Sequence, residues 1–262
     1  MNIKIFPLIF VIALIFSIFP HKITLAQTEN TPYQDYLFNY SRYQTELNKL
    51  TTAKAAYKKD ASLQNLTNLI ETTKTTYLTI GDTMIAYNNF LQTEVVASNV
   101  VPQETMSFFN TTLSSVNQWY IDQKSVINSN QPDLKTIQAT INTYHKSHEP
   151  ILLKVNQLRL VASSARIAKF QDNSKVLLAK LFTYINSNVS NPDPRQEIWR
   201  AQIIEKVDNT NLLIKQNFEL IPQVNKLSGG NQANSQIVKN AKLAIENINK
   251  TASYLNEINN TL

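Results

Sequence analysis

Apolar side chains recur along this chain at alternating steps of three and four residues, and that spacing constrains the fold more tightly than any other feature. One series runs Tyr36, Tyr40, Tyr43, Leu47, Leu50, Lys54 and Tyr57, with Lys54 the sole exception. A second runs Leu63, Leu66, Ile70, Thr73, Tyr77, Ile80, Met84, Tyr87 and Leu91, broken only at Thr73. Residues so spaced share one face of a helix that packs on other helices. Strand-like alternation is nearly absent. The spacing predicts an all-α protein, an elongated antiparallel bundle of about six or seven long helices with coiled-coil-like packing.

Boundaries follow from capping chemistry. Lys58-Lys59-Asp60 pairs basic residues suited to a helix C-terminus with an acid suited to the next N-cap, which places a turn near Asp60. Gly81 leaves the apolar register undisturbed from Ile80 to Met84, so the second helix is expected to run on through it. Pro102 opens a third helix as its first residue, with Met106, Phe109, Leu113, Val116 and Tyr120 on its stripe, and Pro132-Asp133 opens a fourth. Pro150 should break or kink that helix, because it lacks a backbone donor and crowds the preceding turn. The register slips again at Gln171-Asp172-Asn173, leaving Val176 to Ile185 as a shorter segment. Asn186 to Pro194 reads as a loop, Asp193-Pro194 with Gln196 as a capping box, and Ser228-Gly229-Gly230-Asn231 as a chain reversal before the last helix.

The N-terminus points to export. Lys4 precedes a largely apolar run from Ile5 to Phe19, and Thr24-Leu25-Ala26 offers small residues where a signal peptidase reads them. Fifteen residues fall short of the roughly 20 that a spanning helix needs. The expected organisation is a signal peptide over residues 1–26, a main helical bundle over 27–190, and a C-terminal helical hairpin over 191–262 packed on the bundle as one unit. Localisation is then secreted or periplasmic, with no membrane span after signal cleavage. Removing Lys4 and Lys22 leaves 23 basic residues against 19 acidic ones, a mild +4. That charge is scattered, without a basic block, so no nucleic-acid partner is expected.

Composition excludes whole classes of chemistry. Three glycines in 262 residues cannot build phosphate-cradling loops, dinucleotide fingerprints or nucleophile elbows. The absence of cysteine removes disulfides, thiolate metal sites and cysteine nucleophiles. After signal cleavage two histidines remain, His145 and His148, and Glu149 follows them. At i, i+3 and i+4 these three share a helix face and are the candidate metal ligands, against an alternative in which they are solvated residues of the turn before Pro150. No Glu-x-x-His occurs, which argues against a di-iron bundle. Glu205 and Asp208 read as a solvated acidic turn. A triad would have to use the single His145–His148 turn, so an enzyme is not expected, and no cofactor is implied.

Five of the eleven tyrosines lie between Tyr33 and Tyr57. Tyr and Thr recur at apolar positions where a sealed core would favour Leu and Ile, which predicts a half-wet seam. Tyr36, Tyr40 and Tyr43 are the candidate partner-binding residues, with part of their stripe solvent-accessible in the monomer and covered by a second copy or another partner. The functional expectation is an exported non-enzymatic binding or scaffold protein that presents helix faces to a protein or cell-envelope component, with self-association included. The alternative is an extracytoplasmic carrier of a small ligand or metal, using a bundle cavity or the His145/His148/Glu149 turn.

Overall fold

A computed structural model describes residues 31–129, 133–188, 194–225 and 232–260. Six α-helices pack against one another, with no strand among the described residues, so the all-α bundle read from the spacing is the fold. The signal segment, the Asp193 cap and the Gly229-Gly230 reversal lie outside the described residues.

Helix α1 (Pro32–Lys59) opens on a capping box. Gln34 donates its backbone N–H to Thr31 Oγ1 at 3.3 Å, and Thr31 donates its own to Gln34 Oε1 at 3.1 Å. It closes at Asp60, as the Lys58-Lys59-Asp60 pattern indicates. The N-cap of α2 (Leu63–Val96) is Ser62 rather than Asp60. Asp60 instead accepts the Asn65 side-chain amide on its carbonyl, at 2.8 Å, and on its carboxylate, at 3.2 Å.

Gly81 lies within a continuous α2, with the Lys124 side chain packed against it. A Cβ there would fall 2.8 and 2.9 Å from Cγ and Cδ of Lys124. The Lys124 stem crosses α2 at this point to reach Asp82, to which its ammonium donates. Nearby, α1 approaches α2 closely over a threonine ladder. Thr76 and Thr83 of α2 are buried, and each hydroxyl is shared between the carbonyl four residues back, that of Thr72 or Thr79 at 2.7 Å, and an α1 carbonyl, that of Glu46 at 3.1 Å or Asn39 at 3.0 Å. The two donors and the two α1 acceptors are each one heptad apart, which sets the antiparallel register of the pair.

Helix α3 (Gln103–Asn128) begins one residue later than expected, with Pro102 as its N-cap. Asn99, in the left-handed region at φ 56°, turns the chain between α2 and α3. Helix α4 (Leu134–Asn188) has 55 residues and runs through Pro150 without a break and on through Gln171-Asn173, where a separate shorter segment is expected from the sequence. Pro150 and Lys146, whose carbonyl loses its helical donor, are both exposed, so water can satisfy that oxygen. Apolar packing then holds the flanks, with Ile151, Val155 and Leu158 all buried. The register slip at Gln171 has a local cause: this polar side chain occupies a core position and donates to the Val207 carbonyl of α5 at 3.2 Å.

Helix α5 (Pro194–Leu220) passes through a short 3-10 turn, Ile221–Gln223, and α6 (Gln232–Asn260) packs along α5. At 1.5 Å per residue α4 is roughly 80 Å long, and three apolar clusters lie along it. Leu50, Ala53 and Leu69 gather near Leu134 at one end. A large central cluster joins α2, α3 and the middle of α4 to Ile214, Phe218 and Ile237. Leu178 and Ile185 meet Ile203 and Ile258 at the far end. No helix among the described residues is long and apolar enough to cross a membrane.

Candidate functional site

Two places in this rod concentrate side chains with chemistry, and the first is the histidine turn of α4. His145 is exposed, and its Nε2 lies 2.6 Å from the Tyr77 hydroxyl of α2. One turn on, the Nε2 of half-buried His148 lies 2.8 Å from the Tyr120 hydroxyl of α3. The imidazole tautomer decides which atom donates in each pair. The two side chains therefore diverge toward different helices, and Glu149 is exposed beside them. Among the described residues no three His, Cys, Asp or Glu side chains gather to hold a metal ion.

Aromatic rings pack this turn. His148 stacks on Trp119 with 15° between planes and also contacts Tyr144, whose ring meets Tyr77 edge-on. Burial raises the Tyr120 and Tyr144 pKa values far above the ordinary phenol range, so both remain protonated. Burial also holds His148 below the usual imidazole value, with His145 adding a smaller effect in the same direction. The Tyr144 hydroxyl is buried without a hydrogen-bond partner. Chemically, the arrangement ties α4 to α2 and α3 through two His–Tyr pairs.

The second place is the N-terminal third of α1. Tyr36 is half-buried against α2, 5.2 Å from the Tyr87 ring and stacked on Phe90 at 6.5 Å. Burial raises its pKa, with Tyr40 and Tyr33 contributing. Tyr43 is half-buried as well, whereas Tyr40 is 44% exposed. Sequence reasoning missed two residues that point outward, Leu37 at 44% exposure and Phe38 at 64%, while Tyr33, at 38%, sets its ring 5.2 Å from that of Phe90 in α2. Their signal was present, since Leu37 and Phe38 are apolar residues lying off the 36–40–43–47–50 stripe. Arg42 lies over the Phe38 ring at 5.9 Å and reaches Asp82 of α2 at 3.9 Å.

A solvent-open groove of about 460 Å³ between α1 and α2 is lined by polar side chains, among them Thr45, Asn48, Lys49 and Asn68. Trp199, half-buried, belongs to the far-end cluster with Arg195 over its ring at 5.8 Å. No protein-family model matches the chain, and no curated protein or solved structure matches it either.

Proposed function

We propose that this protein is a non-enzymatic binding or scaffold protein, exported by its N-terminal signal segment, that presents helix faces to a protein or cell-envelope partner. The observation that carries this reading is the outer side of α1, where Leu37 and Phe38 stand exposed, with the partly exposed rings of Tyr40 and of Tyr33, which also packs on Phe90 of α2, along its edge. Aromatic and aliphatic groups exposed together are the usual material of interaction surfaces, since each covers much area for little lost side-chain entropy. The engagement of both histidines with tyrosines supports a structural rather than a catalytic use of the only imidazoles left after signal cleavage. The heptad spacing of the threonine ladder supports coiled-coil-like seams as the means of holding α1 in place.

Binding of the purified protein, from Gln27 onward, to envelope material of its source cell tests the reading. Replacing Leu37 and Phe38 with serine should abolish retention while circular dichroism stays unchanged. Equal retention of the two proteins, or retention of neither, would overturn it.

A further inference from the structure

The outward side of α1 is organised about a centre. At 100° per residue, Leu37 and Phe38 straddle the line furthest from α2, Tyr33 and Tyr40 lie along one flank, and Asp35 and Arg42 lie along the other. Asp35 makes no ion pair among the described residues. Arg42 is the weaker of the two cations on Asp82, at 3.9 Å, and its side chain remains 48% exposed.

We propose that this face pairs with the same face of a second copy, α1 running antiparallel to α1 across a two-fold axis between Leu37 and Phe38. This rests on the reading of α1 as an interaction surface and specifies what covers it. In antiparallel helices each flank meets its own counterpart, so a two-fold at this point sets Leu37 against the partner's Leu37, Phe38 against the partner's Phe38, and Tyr33 near the partner's Tyr40. The same operation sets Asp35 near the partner's Arg42, twice over. One acid and one base on a single flank give no net attraction for an anionic bilayer, yet they are complementary to themselves under a two-fold, and this favours a second copy over lipid. The four apolar side chains expose on the order of 400 Å² per copy, at the small end for protein interfaces. The dimer should therefore be weak and depend on concentration, with the apolar residues meeting over a short helix crossing.

Sedimentation equilibrium from micromolar to millimolar protein tests this. Wild type should dimerise, Phe38→Ser should weaken dimerisation by about tenfold or more, and Asp35→Arg alone should do the same by opposing like charges. Asp35→Arg combined with Arg42→Asp should restore association to near the wild-type value. Because Arg42→Asp also removes a contact to Asp82, a second test avoids it. The chain has no cysteine, so Leu37→Cys places a lone thiol beside the axis and should form a disulfide-linked dimer readily, whereas Thr52→Cys, four turns away on the same face, should not. A wild type that stays monomeric, a double charge swap that folds but fails to restore pairing, or equal cross-linking at both positions would overturn the proposal. If the monomer instead binds vesicles of anionic phospholipid and Phe38→Ser abolishes that binding, lipid is the occupant and self-pairing is wrong. Retention on envelope material that Leu37→Ser/Phe38→Ser abolishes, with no dimer, would sink self-pairing while leaving the binding function intact. Absence of both retention and dimer would remove both.

Discussion

His148 shows how burial gives one side chain a measurable consequence. Its imidazole is held below the ordinary value by desolvation, so its folded pKa lies under its unfolded one. The stability it contributes is fully present above the unfolded value of about 6.5 and is lost as pH falls through the lower folded value. Thermal unfolding should show a midpoint that drops between neutral pH and mildly acidic pH. His148→Gln, which keeps an acceptor for Tyr120 without titrating, should flatten that drop, and an unchanged drop would show that other groups carry it. Gly81 makes an equally sharp case. Alanine in a helix interior is favoured over glycine by about 1 kcal/mol, but here its Cβ would meet the Lys124 stem inside 3.0 Å. Gly81→Ala should therefore destabilise the wild type yet stabilise a Lys124→Ala background, as measured by urea unfolding of the four proteins. The same sign in both backgrounds would rule out the Lys124 contact as the reason for the glycine.

Among the elements, what the sequence made legible was wherever packing and periodicity agree. The α1–α2 turn at Asp60, the continuity of α2 through Gly81 and the stripe of α3 could all be read from spacing and caps. Helix α4 could not, because two of its core-facing or backbone-critical positions carry misleading residues. Gln171 looks like a break and is a buried side chain bonded to a carbonyl of another helix, and Pro150 looks like a stop and is tolerated on an exposed turn. Both depend on partners that only the tertiary structure supplies. The orientation of the α1 tyrosines was hidden for a similar reason: spacing placed Tyr36, Tyr40 and Tyr43 on one stripe, while the position of α2 decides that Tyr40 stays out and the other two turn in. Spacing put His145 and His148 on one side of α4, but the Tyr77 and Tyr120 hydroxyls that draw them toward different helices come from residues 68 and 28 positions away. If Pro150 is merely tolerated, Pro150→Ala should restore the backbone bond to Lys146 and raise stability by about 1–3 kcal/mol in denaturant titration, the helix gain being reduced by the freer unfolded chain. A loss of stability would mean that α4 requires the proline.

At the scale of the molecule, three apolar clusters along one long helix make a rod, and α1 is the helix least committed to it. Only Leu50 and Ala53 of α1 are fully buried, against ten residues of α2. Rings and threonine hydroxyls hold α1 in place, leaving its outer side free for another surface. Two sets of side chains are interleaved in the sequence of α1: Tyr36 and Tyr43, which hold α1 to α2, and Leu37 and Phe38, which face away. Measuring unfolding free energy and envelope retention together on Tyr36→Ser/Tyr43→Ser and on Leu37→Ser/Phe38→Ser tests that separation directly. The inner pair should cost about 2 kcal/mol or more of stability as buried aromatic area is lost, while the outer pair should change stability by less than about 0.5 kcal/mol and abolish retention. An outer pair that destabilises the fold as much as the inner one, or that leaves retention untouched, would contradict the claim that α1 turns an adhesive face outward.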